Sequence, residues 1–140
     1  MKTRNALSAA ALAAAALLAA GCGTDTCPTE TPKIDLIQSC TATPGATVPV
    51  RLKACPTCNQ NITRCEVDVQ GGYIQLDPLA EACDSSTSCP PGCATNDVVC
   101  NVTAPSTPGT YTLIVSNGTG GTLQGQLDVA EASGPYACTY

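Results

Sequence analysis

The stretch Arg64-Cys65-Glu66-Val67-Asp68-Val69-Gln70-Gly71-Gly72-Tyr73-Ile74-Gln75-Leu76 decides the fold class. Cys65, Val67 and Val69 alternate with Arg64, Glu66, Asp68 and Gln70, the period of a strand with one buried face. Gly71-Gly72 supplies a tight turn, because glycine takes positive φ at no steric cost. Ile74 and Leu76 then resume the alternation as a hairpin partner, and Asp77-Pro78 ends it.

The same period recurs on both sides of this hairpin. Upstream, Ile34 and Leu36 alternate with Lys33, Asp35 and Ile37, and Val48, Val50 and Leu52 with Thr47, Pro49, Arg51 and Lys53. Pro49 has no amide hydrogen and so calls for an edge or a bulge. Downstream, Val98, Cys100 and Val102 form a third inward row, Tyr111, Leu113 and Val115 a fourth, and Leu123, Leu127 and Val129 a last one with Gly125 on the same face. Asn117-Gly118-Thr119-Gly120-Gly121 separates the last two rows and is the strongest turn signal in the chain. About seven antiparallel strands with no convincing helix predict an all-β sandwich. Its expected core is Val50, Leu52, Val67, Val69, Ile74, Val98, Cys100, Val102, Leu113, Val115 and Leu127. Over residues 98–129, the order Val-x-Cys-x-Val, a proline turn, Pro108-Gly109-Thr110-Tyr111 and a glycine turn resembles bacterial immunoglobulin-like and filamin-type domains. That resemblance implies an immunoglobulin-like β-sandwich and brings no activity with it. Tyr111 fits either a corner tyrosine, whose hydroxyl caps a loop carbonyl, or an ordinary strand aromatic.

Residues 77–97 break the pattern. They hold three serines, Pro90-Pro91-Gly92, and Cys83, Cys89 and Cys93, with room for a single helical turn at Leu79 to Cys83. A loop this long belongs in a compact domain only if something orders it, and three cysteines can. Its acids Glu81, Asp84 and Asp97 are the candidate binding residues, and with Asp77 they offer oxygens that suit calcium without matching an EF-hand.

The amino terminus has another character. Met1 to Asn5 is short and basic, and Ala6 to Ala20 is almost entirely Ala and Leu, too short to span a bilayer and typical of a signal peptide over residues 1–21. Leu17-Leu18-Ala19-Ala20-Gly21-Cys22 resembles the lipobox of bacterial lipoproteins. The resemblance implies cleavage before Cys22 and acylation of that residue, which anchors the chain in a lipid bilayer. Gly23 in place of Asp implies onward passage to the outer membrane. Residues 22–32 then read as a tether, and residues 33–140 as one domain. Without residues 1–21, Lys33, Arg51, Lys53 and Arg64 stand against 11 acids, a balance of minus seven that repels nucleic acid and anionic lipid.

With Cys22 acylated, ten cysteines remain: Cys27, Cys40, Cys55, Cys58, Cys65, Cys83, Cys89, Cys93, Cys100 and Cys138. An even set in an exported chain points to disulfides. They also compensate for a thin core, since the chain has no Trp or Phe. Zinc is the competing account, because Cys55-x-x-Cys58 and Cys89-x-x-x-Cys93 have knuckle-like spacing. Export argues against it. A redox pair at Cys55/Cys58 lacks the helix that lowers a thiol pKa.

Catalytic parts are missing. The chain has no histidine, which removes the Ser-His-Asp and Cys-His arrangements, and no glycine loop opens a helix to cradle phosphate. Glu66 and Asp68 share an outward strand face, which does not suit glycoside hydrolysis. Asn61, Asn101 and Asn117 begin glycosylation sequons, with Asn117 better explained by its turn. No catalytic residue, metal or cofactor is expected. Two function classes follow: an envelope-anchored lipoprotein that binds an envelope protein or plays a structural part, and a secreted inhibitor acting through a rigid crosslinked loop.

Overall fold

The computed structural model describes residues 27–83, 88–131 and 134–140. Its strands are β1 (Thr29–Glu30), β2 (Lys33–Ile37), β3 (Ser39–Ala42), β4 (Thr47–Cys55), β5 (Gln60–Gln70), β6 (Tyr73–Ala82), β7 (Asn96–Thr103), β8 (Gly109–Ser116), β9 (Thr122–Val129) and β10 (Tyr136–Thr139). No helix occurs among the described residues. A three-stranded sheet in the order β2-β4-β7 packs on a seven-stranded one. In the larger sheet β6 pairs with β5 on one side and with β1 and β8 on the other, and the order continues through β9 and β3 to β10. The architecture is a disulfide-rich, immunoglobulin-like β-sandwich.

The inward rows meet between the sheets. Ile34, Val48, Val50, Leu52, Val98, Cys100 and Val102 come from the small sheet, and Ile74, Leu76, Leu113, Val115 and Leu127 from the large one, all buried. Burying one such side chain contributes about 1.5–3 kcal/mol, so the period-two pattern fixes the register. The expected core needs one correction: Val69 is 48% exposed and Val67 only half-buried. The outer part of β5 runs past the small sheet along the edge of its own, so its alternation has no facing layer to enter.

Two pairings are parallel, β6 with β8 and β3 with β9. Alternation cannot reveal strand direction, and each parallel pair needs a long crossover. β2 and β3 divide one run between the sheets at Gln38, the β2 end pairing with β4 and the β3 end with β9. The buried Gln38 side-chain Oε1 accepts a hydrogen bond from the Arg51 backbone amide at 3.0 Å, while the Gln38 backbone amide donates to the Arg51 carbonyl at 3.1 Å. Its polar group is thereby satisfied. Pro49 sits in the middle strand of the small sheet, yet beyond the last β2 pairing, Ile37 with Leu52. Among the described residues, no strand pairs with β4 on that side at Pro49 to receive an amide hydrogen.

Asp77-Pro78 does not end a strand. β6 continues to Ala82, and Pro78 is fully buried where β8, pairing at 73–76, has stopped and β1, pairing at 80–81, has not begun. The helical turn expected at 79–83 is therefore strand up to Ala82, and the irregular loop is shorter than 77–97, since 96–97 already belong to β7. Nor is the tether free throughout. Cys27 is bonded to Cys83, β1 pairs with β6, and Pro32 is buried, so the fold begins before residue 33. Tyr111 is a corner tyrosine: its hydroxyl donates to the Thr107 carbonyl at 2.8 Å.

Candidate functional site

All ten cysteines from Cys27 onward are paired, as Cys27–Cys83, Cys40–Cys138, Cys55–Cys93, Cys58–Cys89 and Cys65–Cys100. Two of these bridges close the sides of the sandwich. Cys65–Cys100 joins β5 of the large sheet to β7 of the small one, and Cys40–Cys138 holds β10 on β3.

The other three gather at one pole. Lys33 is registered with Cys55 and Asn96 with Ala54, so the start of β2, the end of β4 and the start of β7 lie together. The Ala82 amide donates to the Pro28 carbonyl and the Gly118 amide to the Pro32 carbonyl, which brings the end of β6 and the 117–121 turn to the same place. The described chain enters here, and Cys27–Cys83, Cys55–Cys93 and Cys58–Cys89 tie the pole together.

Cys55–Cys93 and Cys58–Cys89 fasten the segment 88–95 to the 55–60 connection between β4 and β5. Their Cα separations are 5.3 and 5.5 Å, so the two backbones run close together. The connection is itself braced. The Thr57 amide donates to the Gln60 Oε1 at 3.0 Å, the Thr57 hydroxyl to the Asn59 Oδ1 at 2.6 Å, and the Gln60 side-chain amide to the Glu30 carboxylate at 2.9 Å. On this base Ser88, Pro90, Pro91, Gly92, Ala94 and Thr95 are exposed. Two prolines and two cystines remove much of the segment's freedom.

Grooves flank it. One of about 560 Å³ lies between Pro56-Thr57 and Pro90-Pro91. Another of about 510 Å³, more apolar, opens between Cys55-Pro56, Thr31 and Thr119. A third of about 330 Å³ separates β5 from β7 along Gln60 to Cys65 and Asn96 to Val99.

Of the three acids expected to line a binding loop, the two that are described, Glu81 and Asp97, lie on different sheets. Glu81 lies on β6, opposite Thr29 and Asn61. Asp97 lies on β7 in the other sheet, and Asp84 is outside the described residues. Asp97 instead pairs with Lys53 at 2.6 Å and Arg51 at 3.7 Å and accepts a hydrogen bond from the Tyr140 hydroxyl at 3.5 Å. The Lys53 hydrogen bond holds the Asp97 carboxyl below its ordinary pKa, and the same bond raises that of Lys53. Burial raises Tyr140, with the Asp97 charge adding to it. Asp77 takes a hydrogen bond from Gln75, and among the described residues Asp77 and Glu81 lie on β6 while Asp97 lies on β7 of the other sheet. Asn117 accepts the Thr119 amide at 3.3 Å within its turn.

One juxtaposition escaped the sequence: Asp35 lies beside the Cys55–Cys93 cystine, with its carboxylate and both sulfurs within 4.8 Å of one another. Asp35 is the irregular residue in β2, between the Ile34–Ala54 and Leu36–Lys53 pairs. The Cys55-x-x-Cys58 spacing marked this turn as chemically notable, but no spacing tells which cysteine closes on which. Cys22 and the whole signal-like segment lie outside the described residues. Compared with models of protein families, with curated proteins and with solved structures, the chain matches none.

Proposed function

We propose that the protein is a non-enzymatic exported module that binds a protein partner through its crosslinked pole, acting as an inhibitor whose 88–95 segment enters the partner's cleft. The carrying observation is the exposed Pro90-Pro91-Gly92 run held between two cystines on a hydrogen-bonded base. A segment already fixed in its bound shape forfeits little entropy on binding, at about 0.5–1.5 kcal/mol for each side chain that need not be immobilised. Five cystines suit an oxidising compartment. Two adjoining grooves, both lined in part by Gly92 and Cys93, give a partner's cleft walls somewhere to settle. The reading of an envelope-anchored structural lipoprotein draws on residues 1–22 and gains no support from the described part.

The test is an inhibition panel of secreted and periplasmic proteases and glycosidases. Wild-type protein is expected to slow at least one enzyme stoichiometrically. A C58A/C89A variant, which frees one end of the segment, is expected to lose at least tenfold in affinity while keeping its β-sheet spectrum. Equal potency of the two proteins, or no inhibition anywhere in the panel, removes the inhibitor reading.

A further inference from the structure

The geometry points to a second state of the same pole: when a dithiol reduces Cys55–Cys93, the two thiolates and the Asp35 carboxylate form a site for a thiophilic divalent ion such as Zn²⁺. The observation is independent of any partner. The Asp35 carboxylate lies within 4.8 Å of both sulfurs of the cystine, and reduction turns those two bonded sulfurs into thiolate donors. Two thiolates, each about 2.3 Å from zinc, sit roughly 3.7 Å apart at the tetrahedral angle, and a carboxylate oxygen binds at about 2.0–2.2 Å. Small side-chain rotations close the site, and water fills the fourth position. Asp35 is aimed there by the irregularity of β2, as bulges commonly re-aim a side chain.

Access separates this cystine from those in the sandwich. Cys93 and Asp35 are exposed and Cys55 is half-buried, whereas Cys40 and Cys100 are buried in the core. In the reduction an incoming dithiol gives up two electrons and two protons, its sulfurs join as a disulfide, and Cys55 and Cys93 become thiols. Metal binding releases those two protons. The ion also displaces Lys33, which pairs with Asp35 at 2.9 Å. The zinc-loaded form holds the 88–95 segment on β4 through S–Zn–S in place of S–S. The segment is free at this point only in the reduced, metal-free state.

The experiment uses the purified full chain under graded dithiol reduction, with alkylation mapping of released thiols and Co²⁺ and Zn²⁺ as probes. The oxidised protein is expected to bind neither ion. After mild reduction that exposes Cys55 and Cys93, one Co²⁺ per chain is expected, with a sulfur-to-cobalt charge-transfer band matching two thiolates. D35N, at an exposed position, is expected to weaken binding by more than about tenfold. C58S/C89S, which removes the neighbouring thiols, is expected to retain it. Loss of binding in C58S/C89S with D35N unaffected overturns the proposal in favour of a thiolate cluster. Failure of the reduced wild type to bind either ion also overturns it, as does loss of the β-sheet spectrum on mild reduction.

Discussion

Gly125 shows how one residue sets the seam between the two sheets. A Cβ there would stand 2.7 Å from the Gln38 carbonyl oxygen, a backbone atom at the point where β2 passes into β3. Neither strand can withdraw without breaking the Gln38–Arg51 hydrogen bonds. G125A is therefore expected to cost about 1–3 kcal/mol, read as a lower urea midpoint at an unchanged slope. Tyr111 tests a single hydrogen bond. Y111F removes only the hydroxyl that reaches Thr107 and is expected to cost about 0.5–1.5 kcal/mol in the same assay. The Lys53–Asp97–Tyr140 cluster has a pH signature at both ends. Asp97 is depressed, so its contribution is present above the unfolded carboxylate pKa and is lost as pH falls through the folded value. Lys53 is raised above 10.5, so its contribution is present below that value and is lost as pH rises through the folded one. The Tyr140 ring resonances are expected to stay constant from the acid limit up to the onset of the phenol's own raised ionisation, and to shift beyond either end.

At the scale of strands, alternation was legible wherever two sheets face each other. Val48 to Leu52, Val98 to Val102 and Leu113 to Val115 point inward as their period requires. It misled at Val69, where the period persists but the opposing layer has ended. It also misled at Pro78, because a proline stops a strand only where its missing amide hydrogen is needed, and β6 has no partner on one side there. Strand direction and cysteine pairing left no local trace, since both depend on residues brought together from far along the chain. The candidate pole was legible only as a concentration of cysteines, and Asp35 had no signal at all. The pairing also ranks the bridges. Cys65–Cys100 ends on a fully buried sulfur and crosses between sheets, while Cys58–Cys89 ties surface segments. C65A/C100A is expected to cost about 2–5 kcal/mol, and C58A/C89A clearly less, in paired denaturation curves. Equal losses would mean that crosslinking the unfolded chain alone sets the value, because the loops span similar separations of 35 and 31 residues.

For the molecule as a whole, the decisive geometry is that the crosslinked segment and the entry of the chain share a pole. β4, β6 and β8 run toward it, and β2, β5, β7 and β9 run away from it, leaving the 43–46, 71–72 and 104–108 connections at the far end. Cys27 is fixed at the near pole by Cys83, and only five residue steps separate it from Cys22. Fully extended, those steps span at most about 18 Å. If Cys22 carries an acyl group, the 88–95 segment is expected to face the bilayer and the partner proposed above to lie at the membrane surface. A released, unacylated chain has no such restriction. The expectation is tested with protein acylated in cells, reconstituted in vesicles carrying spin-labelled headgroups, with a fluorescent amino acid at exposed Pro91 or exposed Ser106. Quenching is expected to be strong at Pro91 and weak at Ser106, which lies on a far-pole connection. A flexible Gly/Ser insert of about twenty residues after Gly23 lengthens the leash to a root-mean-square span of roughly 25 Å and is expected to bring the two positions to similar values. Equal quenching without the insert would show that the short leash does not orient the domain, and loss of vesicle binding in C22S but not in wild type would tie whatever orientation is seen to that residue.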